Sequence, residues 1–142
     1  MKIYEPANIR NIALLGHTGT GKTTLAETLL FNAKSINRRG TVEDRNTVSD
    51  YHELEQERAN SIFSVPMYLE YKNKKINIID SPGFDDYIGE AISAAYAADV
   101  GVITLNSQNG IEVGTDNLWE QCKKMDKPVC FVINKIDVEQ AK

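Results

Sequence analysis

Apolar and polar positions alternate along the chain in blocks whose lengths and periods predict strands and helices in turn. Ile9 to Leu15 is a short apolar run, and Asn11 to Leu15 within it reads as a first, central strand. From Thr24 to Asn32, Leu25, Leu29 and Leu30 fall on one face at helical spacing. A long polar stretch follows, roughly Ser35 to Ser61, with many charges and few large apolar residues. A connection that long inside a compact domain is usually functional or mobile. Ile62 to Tyr71 then alternates through Val65, Met67, Leu69 and Tyr71, and Pro66 confines this strand to a sheet edge. After a turn at Lys72-Asn73-Lys74, the apolar run Lys75 to Asp80 completes an antiparallel hairpin.

Beyond Gly83 the pattern becomes helical again from Ile88 to Ala98, and Val100 to Leu105 reads as a buried strand. Gly114 to Asp126 predicts another helix, with Leu118, Cys122 and Met125 in its apolar stripe and Trp119 beside it as a packing residue. Pro128 to Ile133 is the last strand. The resulting order, β-α-β-β-α-β-α-β, predicts an α/β fold with helices on both faces of a mostly parallel sheet.

Composition narrows the class without deciding the function. A chain of 142 residues with 42% hydrophobic and 25% charged residues is expected to form one globular domain with a real core. The net charge of −4 argues against a dedicated nucleic-acid surface, and sequence-specific DNA binding is not expected. Lys34, Arg38 and Arg39 read as a solvated loop. Cys122 and Cys130 read as small buried hydrophobes in a reducing compartment, not as a disulfide. With no membrane-spanning apolar run and no signal-peptide core, a cytoplasmic location is expected.

Chemistry enters at Gly16-His17-Thr18-Gly19-Thr20-Gly21-Lys22-Thr23, followed by Thr24. The pattern G-x-x-x-x-G-K-[ST], placed between a strand and a helix, is that of a phosphate loop. Its glycines let successive N–H groups point at phosphate oxygens, and the helix N-terminus adds its dipole. Lys22 can reach the β and γ phosphates and the Thr23 hydroxyl can ligate magnesium. The segment from His17 to Thr24 is therefore the candidate phosphate site. Asp80-Ser81-Pro82-Gly83 closes the second hairpin strand. There the Asp80 carboxylate can hold a magnesium-bound water, and Gly83 can bring a backbone N–H to the γ phosphate. Asn134-Lys135-Ile136-Asp137, again at a strand end, is the candidate base site. The Asp137 carboxylate can accept both donors of guanine's edge, whereas adenine offers it a lone pair. Asn134 would brace the loop and the Lys135 stem would cover the ring.

Four segments in order carry a resemblance: R-N-I-A-L-L-G-H-T-G-T-G-K-T-T-L-A-E, E-Q-E-R-A-N-S-I, N-I-I-D-S-P-G-F-D-D-Y and F-V-I-N-K-I-D. Together they resemble the amino-terminal GTPase domain of elongation factor G, and are similar to the tetracycline-resistance ribosomal protection proteins. The resemblance implies a P-loop GTPase fold, GTP or GDP with magnesium as cofactors, and a ribosome-associated role exercised through a longer protein. It also implies that Ser61 supplies a second magnesium hydroxyl.

Three departures shape the expected activity. Phe84 stands where the family pattern D-T-P-G-H has a histidine that orients the attacking water. Asn60 replaces an apolar residue of R-G-I-T-I, and Gly19 replaces an aspartate that would help place a monovalent cation. The resemblance thus implies nucleotide binding with slow hydrolysis and no firm catalytic residue. The alternative is a non-catalytic GTP-binding switch acting on the ribosome by binding alone; an ATPase is opposed by Asp137. The family's sixth strand, last helix and downstream domains find no counterpart. Residues 1–142 are therefore expected to be a partial GTP-binding domain, since the last strand would otherwise be an unprotected hydrophobic edge.

Overall fold

The computed structural model describes residues 2–44, 46–49 and 62–138. Among these residues five strands form one sheet: β1 (Ile9–Leu15), β2 (Val65–Tyr71), β3 (Lys74–Asp80), β4 (Val100–Asn106) and β5 (Val129–Asn134). Their spatial order is β2-β3-β1-β4-β5, so β1 is central, as its apolar run predicts. Pairing is parallel from β3 through β1 and β4 to β5, and antiparallel only between β2 and β3. Pro66, which lacks an N–H, lies on the edge strand β2 opposite Ile79.

Among the described residues three helices cover the sheet: α1 (Lys22–Asn32), α2 (Ile88–Ala97) and α3 (Val113–Lys124). Side chains in β1 point alternately to its two faces. Ala13 and Leu15 face α2 and α3, packing with Ala91, Ala94, Ala95, Ile103, Leu118 and Cys122. Leu14 faces α1, packing with Ala26, Leu30, Leu69 and Ile78. The three β1 residues are 0% exposed, and truncating one such leucine to alanine costs about 2–5 kcal/mol.

Two local readings need correcting. The first helix begins at Lys22, two residues before Thr24, because Gly21 adopts a left-handed φ of 91° and caps it. Lys22 and Thr23 therefore belong to the first helical turn, whose N–H groups have no partner within the helix. Cys130 is exposed, whereas Cys122 is buried. With β5 at the sheet edge, alternate side chains there face solvent. Both thiols are free.

Of the polar connection, the described residues 35–44 and 46–49 contain no helix or strand. Glu27 of α1, only 1% exposed, holds them by two backbone amides: Gly40 N–H at 2.8 Å and Val48 N–H at 2.5 Å. Asn60 and the expected magnesium ligand Ser61 lie outside the described residues. Among the described residues no helix is long and apolar enough to cross a membrane.

Candidate functional site

The carboxyl ends of β1, β3, β4 and β5 bring the three motifs to one end of the sheet, where ligands of open α/β sheets bind. The segment Gly16–Gly21 joins β1 to α1, and the Lys22 side chain folds back over it. Its ammonium donates to the carbonyls of Gly16 at 2.9 Å and His17 at 3.0 Å. Burial pushes the Lys22 pKa down from 10.5 to about 8, against an opposing pull from the Asp80 carboxylate. A buried cation held mainly by neutral carbonyls is poised to take an anionic partner.

Asp80 ends β3 at 2% exposure and accepts a hydrogen bond from the Thr23 hydroxyl at 2.7 Å. Ser81 secures the same turn, its hydroxyl donating to Leu14 O at 2.6 Å. Gly83 passes so close to the phosphate loop that a β-carbon there would strike Lys22 Nζ and lie 2.7 Å from the Thr18 nitrogen. Only glycine fits this approach. Phe84 follows at 36% exposure, starting the 3-10 turn Asp85–Tyr87 with its carbonyl bonded to Tyr87 N–H.

The third motif reaches the first directly. Asn134 Nδ2 donates to Thr20 O at 3.0 Å, and its Oδ1 accepts from Lys135 N–H at 2.9 Å. A β-carbon on Gly21 would collide with the same Asn134 amide. Lys135 adopts a left-handed φ of 58° that turns the chain out of β5, leaving Asp137 exposed. Ser107, after β4, braces this turn: its hydroxyl donates to Lys135 O at 2.6 Å and its N–H to Asn134 O at 3.0 Å.

His17 contributes to the loop through its backbone carbonyl, while its ring faces the start of α3. Nε2 lies 3.8 Å from Glu112 Oε1, and a β-carbon on Gly114 would lie 2.8 Å from Nδ1. Thr18 is half-buried, and Gly19 and Thr24 are exposed. Thr20 is 0% exposed, its hydroxyl 2.7 Å from that of Thr104. Thr104, Ser107, Glu112 and Glu27 were not singled out from the sequence. A threonine inside the apolar run of β4 and a glutamate inside the apolar half of α1 were the available signals.

The Thr23 hydroxyl and the Asp80 carboxylate together present the hard oxygen atoms that suit magnesium. Among the described residues no group of three histidine, cysteine or acidic side chains forms a metal cluster of its own.

Comparison with known proteins agrees with this fold. The elongation factor Tu GTP binding domain family matches residues 7–142. An elongation factor G-like protein of Mycobacterium tuberculosis is 36% identical over 136 residues, covering 96% of this chain and 19% of that protein. Peptide chain release factor 3 of Gloeothece citriformis is 36% identical over 132 residues, covering 90% of this chain and 24% of that one. A crystal structure of a Thermus thermophilus protein superposes with a TM-score of 0.90 at 34% identity, covering 92% of this chain and 20% of that one. Translation elongation factor SelB of Methanococcus maripaludis, solved with the GTP analogue GppNHp, has the same fold at a TM-score of 0.69 and 22% identity; the match covers 96% of this chain and 23% of that one. The chain spans about a fifth of the length of the elongation factor G-like relatives it matches.

Proposed function

The chain belongs to the elongation factor Tu GTP binding domain family, as an elongation factor G-like member, and from that premise we propose how its residues divide the work on a guanine nucleotide. Residues His17 to Thr24 surround the phosphates, with Lys22 as the cation that meets the β and γ groups. Thr23 and Ser61 would supply hydroxyls to magnesium, with Asp80 supporting it. The bound ion would neutralise phosphate charge. Gly83 offers its N–H to the γ phosphate, and Asp137, Asn134 and Lys135 select and cover guanine.

The observation that carries this reading is the Asn134–Thr20 hydrogen bond, which fixes the base motif onto the phosphate loop. A ligand held at both places must carry a base and a phosphate chain at one set spacing. Competition titration against a fluorescent guanine nucleotide tests it. GDP and GTP should displace the probe at concentrations roughly 100-fold or more below ATP, and Asp137→Asn should weaken guanine binding by ~10²-fold. Equal displacement by ATP and GTP would refute the assignment.

The wider role proposed is that of a cytoplasmic, ribosome-associated GTPase within a longer protein, with slow hydrolysis. Phe84 favours a second reading, a switch that acts on the ribosome by binding GTP alone, because a benzyl group holds no water. Single-turnover hydrolysis by the full-length protein, with and without ribosomes, separates the two. Turnover that ribosomes stimulate selects the GTPase; bound GTP that persists through the experiment selects the switch.

A further inference from the structure

Strands β4 and β5 run parallel in a register that ends both together, Asn106 opposite Asn134. The residues just past the two strands are therefore neighbours, Ser107 beside Lys135. Ser107 bonds across this gap to two consecutive carbonyls. Its N–H donates to Asn134 O at 3.0 Å and its hydroxyl to Lys135 O at 2.6 Å. Asn106 closes the turn around the serine, its side chain accepting Gln108 N–H at 3.0 Å and its carbonyl accepting Gly110 N–H at 2.8 Å. At 6% exposure Ser107 is a buried fixture of that turn. Opposite it, Lys135 holds a left-handed φ of 58°, a conformation that side chains disfavour. Val138 N–H reaches the Lys135 carbonyl only at 3.5 Å, so the Ser107 hydroxyl is much the closer donor.

We infer that Ser107 is a specificity-determining positioning residue, whose hydroxyl fixes the Lys135 turn and with it the aim of Asp137 at the base. The inference rests on the reading of Asp137 as the acceptor of guanine. Guanine shares its N1–H with hypoxanthine, and its exocyclic amine is the donor that hypoxanthine lacks. A carboxylate keeps both bonds only within a narrow range of distance and angle. A loosened turn can still satisfy one donor, but it loses the pair. Asn134 does not settle this by itself. Its bonds to Thr20 O and Lys135 N–H fix the entrance of the turn, whereas the Lys135 carbonyl leads on to Asp137. Ser107 touches no nucleotide in this scheme and acts through the backbone of residue 135.

The test is the ratio of GDP to IDP affinity, since a general loss of binding lowers both and leaves the ratio alone. Fluorescent GDP bound to the 142-residue chain is displaced by GDP or by IDP, and urea midpoints confirm that each variant is folded. Wild type should prefer GDP by roughly tenfold or more, the worth of one hydrogen bond to a charged group. Ser107→Ala removes the hydroxyl and keeps the N–H bond to Asn134, so the turn survives with its exit released. Its ratio should fall by about threefold or more. Asp137→Ala should bring the ratio close to one, and adding Ser107→Ala to it should lower the ratio no further, because both changes act on one contact. Ser107→Cys, with a much weaker donor, should show the same fall in smaller measure and decides the matter if the alanine variant does not fold. A wild-type ratio in the Ser107 variants, or equal losses of GDP and IDP binding, overturns the inference and leaves the guanine reading standing. A further fall in the double variant overturns it too, by showing that Ser107 does not act through Asp137. A wild-type chain without preference for GDP over IDP and ATP refutes the guanine reading itself, and this inference with it.

Discussion

Thr23 and Asp80, 57 positions apart in the chain, share a 2.7 Å hydrogen bond in which the threonine hydroxyl donates to a carboxylate oxygen. The bond ties the first turn of α1 to the end of β3, so the two proposed magnesium-handling groups are already neighbours. Their mutual contact also offsets the desolvation of a carboxylate that is 2% exposed.

Magnesium dependence should therefore run through this pair. Thr23→Ala is expected to keep nucleotide binding in a chelator and to lose the strengthening that magnesium brings, by about tenfold or more. Titrations with and without magnesium measure the ratio directly. An undiminished magnesium effect in the variant would place the metal on other groups.

Lys22 predicts a pH dependence with a definite sign. Its pKa is about 8 in the fold against 10.5 as the ordinary value. Between those limits the unfolded chain binds more protons, so stability rises with pH across this window. The cost of burying the charged lysine is fully present below pH 8 and is relieved as the pH climbs toward 10.5, a change on the order of 3 kcal/mol. Urea midpoints at about pH 7.5 and about pH 9.5 should show the gain in the nucleotide-free protein, and Lys22→Met should flatten it. Nucleotide affinity should move oppositely, falling as the pH passes about 8, because phosphates need the ammonium form. A Lys22→Met profile parallel to wild type would assign the dependence to other groups.

Glu27 predicts a local effect on the segment after α1. Gln at this position keeps the shape but offers one acceptor and one donor to two N–H groups. Glu27→Gln should therefore lower stability by roughly 1–3 kcal/mol and speed hydrogen exchange at the Gly40 and Val48 amides. Unchanged exchange at both amides would show that the carboxylate does not hold the segment.

Strand and helix order was legible because each element carries its own period: alternation in β2, leucines at helical spacing in α1, the apolar run Ile12 to Leu15 in β1. Pro66 marked its strand as an edge for the same local reason. The three phosphate and base motifs were legible because glycines, a lysine and a terminal carboxylate recur at fixed spacing. Glu27 and Thr104 escaped that reading since their partners lie elsewhere in the chain. A buried glutamate bonded to Gly40 and Val48 looks, in sequence, like any polar residue on a helix. Cys130 was misread because its run is as apolar as a central strand, and only the sheet order puts it at an edge.

Phe84 should limit hydrolysis, and Phe84→His in the full-length protein should raise ribosome-stimulated GTP turnover. Its neighbour Gly83 lies against Lys22 and Thr18, so residue 84 emerges beside the space proposed for the γ phosphate. At 36% exposure the ring is only partly packed, and imidazole, being smaller, fits the same position without crowding the core. Phenylalanine can exclude water but cannot orient it, whereas imidazole can accept and donate a hydrogen bond. Groups that position or deprotonate an attacking water contribute ~10²–10⁴ in rate. The gain should fall toward the lower end of that range, because Gly19 supplies no carboxylate and the phosphate surroundings stay altered. Single-turnover hydrolysis on ribosomes, compared between the two proteins at matched GTP occupancy, gives the ratio. A histidine variant no faster than wild type would mean that another group positions the water.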